Sequence, residues 1–173
     1  MTSKGLETRG VTTTSGDFAH ATTAGNSAHA TTAGDSAHAT TAGNYAHATT
    51  SGNSAHATTT GRGAHAATAG HSAHATASGN FARATTSGNY AHAMAAGICG
   101  SATAAGSGAH ACVLGAHGRA RCGNDGMIAL AWHDGVRARL AVGYAGEDGI
   151  KAGVWYRVDA AGKLVPAEGE DVK

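Results

Sequence analysis

Gly25-Asn26-Ser27-Ala28-His29-Ala30-Thr31-Thr32-Ala33 is followed by Gly34-Asp35-Ser36-Ala37-His38-Ala39-Thr40-Thr41-Ala42, and then by Gly43-Asn44-Tyr45-Ala46-His47-Ala48-Thr49-Thr50-Ser51. The nine-residue phrase extends well beyond these three copies. Glycine stands at 16, 25, 34, 43, 52, 61, 70, 79, 88, 97, 106 and 115, twelve times without a miss. The residue five places after each of these glycines is always alanine. The residue three places after is alanine in most units, with Gly100 and Gly118 as exceptions. A fixed short period is the mark of a stacked repeat architecture.

Strand alternation sorts each unit into two faces. Ala19, Ala21 and Thr23 point one way, and His20 and Thr22 point the other. Ala24-Gly25-Asn26 then makes a corner, where Gly-Asn and Gly-Asp pairs are expected to supply the positive φ angles a sharp bend needs. The Thr and Gly content argues against helix. Strands this short bury nothing alone and have to stack on copies of themselves. The expected fold is all-β: a parallel β-solenoid, a two-faced roll of about 18 residues per coil. At the inter-strand spacing, twelve units make roughly six coils, about 29 Å long. The interior is expected to be thin, built of Ala and Thr methyl groups.

With this coil length, one face carries His20, His38, His56, His74, His92 and His110 in an unbroken column. The other carries His29, His47 and His65, then Arg83, Ser101 and Arg119. A nine-residue triangular coil would merge all of them into one column. The two-faced roll is the preferred reading.

Composition narrows the function classes. The chain has 173 residues, 27 of them glycine, with 13% charged, 5% aromatic and one proline. Disordered chains of low complexity usually carry more charge and proline. A net charge of +1 makes nucleic acid or an anionic membrane an unexpected partner. Cys99, Cys112 and Cys122 are odd in number and lack C-x-x-C spacing, so they read as free thiols in a reducing compartment. No secretory segment opens the chain, and no apolar run spans a bilayer.

The histidine columns are the first candidate site. Imidazoles on adjacent coils can share a transition metal, but no carboxylate or cysteine completes a tetrahedral set, so no metal is expected. Imidazolium groups about 5 Å apart repel, which predicts lowered pKa values and loss of stability in acid. Calcium is unexpected, because the calcium-binding nonapeptide needs an aspartate in each unit and the repeat offers only Asp17 and Asp35. Outward threonines at 22, 31, 40, 49, 58, 76 and 85 raise ice or surface binding as an alternative, weakened by the drift to Met94 and Cys112. No nucleophile elbow, phosphate loop or carboxylate pair occurs, so neither an enzyme nor a cofactor is expected. Phe18, Tyr45, Phe81 and Tyr90 occupy corners, either plugging them or presenting aromatic contacts to a partner.

After Gly115 the glycine phase is lost. Residues 1–118 hold 7 charged side chains, and residues 119–173 hold 16. Ile128, Leu130 and Trp132 share one face of a strand; Val136, Ala138, Leu140 and Val142 share a face of the next, and Asp134-Gly135 turns between them. Strands around 154–158 and 163–165 follow. The expected organisation is an N-terminal cap segment over 1–15, the solenoid over 16–118, and a small antiparallel C-terminal cap over 119–173 that closes the open end of the coils.

Repeat and ending together resemble a group of phage and prophage proteins with AHATTxG units followed by I-K-A-x-x-W-Y-x-x-D-x-x-G-x-x-V. Here the ending is Ile150, Lys151, Ala152, Trp155, Tyr156, Asp159, Gly162 and Val165. The resemblance covers about residues 16–168. It implies a phage or mobile-element origin and brings no catalytic residues; larger members carry an N-terminal domain that is not expected in this chain. There is also a looser likeness to the head repeats of trimeric adhesins, whose stalk and anchor are not expected in this chain. The expected function is a non-enzymatic binding protein in the bacterial host cytoplasm. It would use the rigid faces to occlude a host protein, such as a defence component. His20, His38, His56, His74, His92, His110, Arg83, Arg119, Tyr45 and Tyr90 form the candidate interaction surface. The alternatives are a virion or tail-fibre component, with homo-oligomerisation through the C-terminal cap, and an ice- or surface-binding protein.

Overall fold

The computed structural model describes residues 10–167. All regular structure in it is β. A nine-stranded sheet holds β1 (Val11–Ser15), β3 (His29–Ala33), β5 (His47–Ser51), β7 (His65–Ala69), β9 (Arg83–Thr86), β11 (Ser101–Ala104), β13 (Arg119–Cys122), β16 (Tyr156–Val158) and β17 (Leu164–Pro166). An eight-stranded sheet holds β2 (His20–Ala24), β4 (His38–Ala42), β6 (His56–Thr60), β8 (His74–Ser78), β10 (His92–Ala96), β12 (His110–Val113), β14 (Met127–His133) and β15 (Ala138–Tyr144). Odd and even repeats therefore lie on opposite sheets. From β1 to β11 each strand pairs in parallel with the strand 18 residues on, His38 with His56 and Ala39 with Ala57. The two-faced roll is the architecture, and the merged single column does not occur.

The coils number about seven, one more than the glycine count suggests. β1 supplies a strand ahead of Gly16 and pairs with β3. Past residue 118 the parallel stacking continues: β13 pairs with β11, and β14 pairs with β12 through His110–Met127 and Val113–Leu130. From Arg119 to Met127 the step is eight residues instead of nine, which breaks the glycine phase but not the coil. Only residues 10–15 of the expected N-terminal cap segment fall within the described residues.

The corners differ from expectation in one respect. The left-handed residues are the glycine and the residue after Asn or Asp, not the Asn or Asp itself: Gly25 has φ 126° and Ser27 has φ 56°. Phe18, Tyr45, Phe81 and Tyr90 share this conformation at 57°, 56°, 62° and 53°. The Asn and Asp side chains have another task. Asp17 Oδ1 accepts the Asp35 amide at 3.1 Å, Asp35 Oδ1 accepts the Asn53 amide at 2.8 Å, and Asn53 Oδ1 accepts the His71 amide at 3.1 Å. Asn26, Asn44, Asn80 and Asn89 do the same for the coil above. Each of these Asn or Asp corners thus satisfies a backbone donor of the next coil, a group that would otherwise rely on water.

The interior is narrow. Ala28, Ala37, Ala46, Ala55, Ala64 and Ala73 are fully buried. Threonine fills a second inward position, and the hydroxyls of Thr14, Thr23, Thr32, Thr41, Thr50, Thr59, Thr68 and Thr86 are buried with no hydrogen-bond partner in the protein. The column of Thr41 and Thr59 continues in register as Ala77, Ala95, Val113 and Leu130, so the same site accepts an apolar side chain. Thr59→Val, which swaps an orphaned hydroxyl for a methyl of similar shape, is expected to raise stability by about 1 kcal/mol. Urea unfolding measures this, and a lowered midpoint would show that the hydroxyl is satisfied after all.

The core widens at the C-terminal end, where Val113, Ile128, Leu130, Ile150 and Tyr156 are buried. The closing motif supplies this packing. The Tyr156 hydroxyl accepts the Lys151 amide at 2.8 Å and donates to the Gly149 carbonyl. Asp159 Oδ1 accepts the amides of Ala161 and Lys163, and Gly162 leaves the space over which Trp132 lies. About four antiparallel strands are expected here, and β14–β15 and β16–β17 are antiparallel pairs. Asp134 makes the β14–β15 turn by accepting the amides of Val136 and Arg137, with Arg139 as its ion pair, and these contacts hold its carboxyl at about 2. The face shared by Val136, Leu140 and Val142 points outward: they are 84%, 52% and 43% exposed. The register explains this, since Leu140 sits opposite Ala131 and Val142 opposite Ala129, one residue out of step with buried Leu130 and Ile128. The cap therefore relocates the open edge instead of removing it. β15 ends the eight-stranded sheet with one neighbour, β14.

Candidate binding surface

Outward positions on the two sheets have distinct chemistry. On the eight-stranded sheet, His20, His38, His56, His74 and His92 stack face to face with ring centroids 4.8–4.9 Å apart. This spacing is the strand spacing, so the backbone ladder itself sets the ring stack. At His110 the stack turns edge-on, with an interplanar angle of 84°. On the other sheet His29, His47 and His65 stack at 4.7 and 4.8 Å, and Arg83 takes the next place in register. Outward threonines divide between the sheets, Thr22, Thr40, Thr58 and Thr76 on one and Thr31, Thr49 and Thr85 on the other. Met94 and Cys112 interrupt the first column.

Partial burial lowers the pKa of His38, His74 and His92; the imidazoles on both sides lower it further at His38 and His74, and His110 does so at His92. His65 is lowered by burial, then by His47 and Arg83. Burial thus ranks ahead of the mutual repulsion expected from the repeat. The sign for stability follows. These groups bind protons more readily unfolded than folded, so unfolding takes up protons and stability rises with pH across that range. Their contribution is complete above the unfolded value of 6.5 and is lost as pH falls through the lowered folded values. The melting temperature is expected to hold steady above about pH 6.5 and to fall progressively toward pH 5. A melting temperature that is level from pH 7 to 5 would contradict this.

The second chemistry is cationic and aromatic. Arg83, Ser101 and Arg119 lie in register on adjacent strands of the nine-stranded sheet. With Phe81, Cys99 and His117 they line a shallow groove of about 340 Å³. Ser101, the short side chain between two arginines, makes the floor. Beyond it the guanidinium groups of Arg119 and Arg121 sit 4.7 and 4.8 Å from the Trp155 ring, within cation–π range. Arg121 also donates to Thr103 Oγ1 at 3.3 Å. Among the described residues the one ion pair is Asp134–Arg139, so within that set Arg83, Arg119 and Arg121 have no carboxylate partner.

Tyr45 and Tyr90 are about half exposed. Each ring lies along its corner column over a glycine of the next coil, Gly63 and Gly108, where a Cβ would come within 3 Å of the ring. His71 tilts against Tyr90 with centroids 5.4 Å apart, and Arg62 lies over Phe81 at 5.6 Å. The candidate residues named from the sequence therefore do not form one surface. The six-histidine column and the Arg83–Arg119 pair occupy opposite sheets, and the tyrosines line the corners between them. Strand alternation already places Arg121 on the face of Arg119, whereas Trp155 reaches that face only through the pairing of β16 with β13.

Among the described residues no group of three or more His, Cys, Asp or Glu side chains is arranged to hold a metal ion. Burial raises the thiol pKa of Cys112 and Cys122, and all three cysteines are unpaired. Among the described residues no helix is long and apolar enough to cross a membrane.

Comparison with known proteins gives little beyond the repeat. No protein-family model and no solved structure matches the chain. An uncharacterised Escherichia coli K12 protein, YdhT, is 49% identical over 43 residues. That stretch is 25% of this chain and spans 16% of the length of YdhT.

Proposed function

We propose that the protein is a non-enzymatic binding protein of phage or mobile-element origin. It uses the C-terminal end of the nine-stranded sheet to hold an acidic surface of a host protein and so occlude it, acting in the bacterial cytoplasm. The observation that carries this reading is the groove of Arg83, Ser101 and Arg119 beside Arg121 and Trp155, where Arg83 is exposed, Arg119 and Arg121 are half-buried, and none of the three has an ion-pair partner among the described residues. Arginine and tryptophan are the residue types that most often dominate interfaces, and uncompensated charge favours a partner of opposite sign. The origin rests on the resemblance of the repeat and the closing motif. A threonine array broken at Met94 and Cys112 weighs against ice binding, and the open edge of β15 favours a second reading, a self-assembling virion component.

The test is capture from bacterial lysate by the immobilised wild-type protein, by an Arg83→Glu/Arg119→Glu variant, and by His56→Ala. One stoichiometric protein, retained by wild type and His56→Ala but lost with the arginine variant, is the expected result. Capture indifferent to the arginines, or none, overturns the proposal. Recovery of the chain in purified particles favours the virion reading.

A further inference from the structure

We propose that two copies of the chain pair edge to edge through β15, antiparallel about a two-fold axis at Ala141. This inference is independent of the arginine groove. β15 is the last strand of its sheet, and among the described residues its outer edge meets no other strand. It is seven residues long and contains no proline. The sister edge, β17, is three residues long and ends in Pro166, which has no amide hydrogen to offer. Protein edges are normally blunted by shortness, proline or a covering segment. β17 is blunted in this way and β15 is not.

The register of the hairpin fixes which groups are free. The Asp134 amide donates to the Arg137 carbonyl, and the Ala145 amide donates to the Gly126 carbonyl. Antiparallel ladders alternate, so Arg139, Ala141 and Gly143 direct their backbone groups toward β14. Ala138, Leu140, Val142 and Tyr144 direct theirs outward. With the two-fold axis at Ala141, Leu140 faces Val142 of the second copy and the two exchange amide and carbonyl bonds, while Ala138 faces Tyr144, which offers its amide; the Tyr144 carbonyl already accepts the Glu147 amide at 3.1 Å. Their side chains also share the outward face, so Leu140, Val142 and Tyr144, all about half exposed, gain apolar neighbours across the axis.

Charge selects the same arrangement. Antiparallel pairing sets Arg139 beside Gly143 of the other copy, whereas an axis at Arg139 would oppose two guanidinium groups. It also brings Arg137, at the start of the strand, toward the acidic turn Glu147-Asp148 beyond its end. The product is a closed dimer with one continuous sheet, because the symmetric contact uses up both β15 edges.

The test is sedimentation equilibrium of the wild-type chain with two edge variants. Wild type is expected at twice the 16.9 kDa chain mass. Leu140→Pro removes an outward amide and leaves the β14 ladder intact, and Leu140→Lys puts charge on the edge. Each is expected to raise the dissociation constant at least about tenfold, with an unchanged β-sheet circular dichroism spectrum. Ala141→Cys provides a readout that does not weaken the edge. Cysteines directly opposite at a non-hydrogen-bonded site lie about 4.5 Å apart between Cα atoms, within disulfide range, so mild oxidation is expected to trap a covalent dimer. Val136→Cys, more exposed but in the turn, is expected to stay uncrosslinked. A wild-type monomer, a trimer, an open-ended polymer, or no Ala141→Cys crosslink overturns the proposal.

Discussion

Gly88→Ala is expected to abolish the folded solenoid, at a cost above about 4 kcal/mol. A Cβ at Gly88 would sit 1.7 Å from the Gly70 carbonyl oxygen and 2.3 Å from its carbonyl carbon. Both obstacles are backbone, and the coil spacing that places them there is the hydrogen-bonded strand spacing, so no rotamer change relieves the clash. Gly16 provides the control. It has the same place in its unit at the first corner, with φ 115°, and nothing lies within 4 Å of the position its Cβ would take. Gly16→Ala carries the backbone strain without the collision and is expected to cost about 1–3 kcal/mol. Thermal melts of the two variants separate the terms. Gly88 lies outside the positive-φ range, so its loss reports the collision alone and that of Gly16 the backbone strain alone; a loss at Gly88 no larger than that at Gly16 would mean that the coils give way to a Cβ.

The second large effect concerns the two units that lack alanine three places after glycine. A Cβ at Gly118 would come 2.4 Å from Val113 Cγ1, and one at Gly100 would come 3.3 Å from the same atom. Val113 is fully buried and reaches across the core from the opposite sheet. Gly118→Ala is therefore expected to cost about 1–3 kcal/mol by overpacking. Val113→Ala in the same chain is expected to recover much of that loss, because it recreates the pairing of Ala77 with Ala82 two coils earlier. A double-mutant cycle by urea unfolding is expected to give a coupling of about 1–2 kcal/mol. Additive losses would show that the glycines answer to something other than Val113.

The glycine exceptions illustrate how far the sequence could be read. Twelve glycines in phase, with alanine and threonine alternating against histidine, suffice for two sheets, parallel pairing and an 18-residue coil, because these follow from local periods. Relations between residues 18 apart become visible only once that coil length is known. The exceptions at Gly100 and Gly118 are plain in the sequence, but their cause, a valine on the facing sheet, is not. The same holds for the Asn and Asp side chains, which read locally as turn formers and act as acceptors for the next coil. Continuation of the coil past Gly115 was hidden by a single missing residue between β13 and β14. In the cap, alternation correctly grouped Val136, Leu140 and Val142, but only the pairing register with β14 decides that their face looks outward. The histidine columns were legible in full. The basic groove was legible in part, through Arg83, Arg119 and, by alternation, Arg121, while Trp155 required the fold.

Because neighbouring repeats alternate between sheets, the array has a parity. Deleting 18 residues removes one whole coil and leaves every later side chain on its original face. Deleting nine transposes everything downstream: the Arg83 series would move to the six-histidine side, and the closing strands would meet the roll half a revolution out of place. The chain can shorten or lengthen without rearranging its surface only in steps of two repeats.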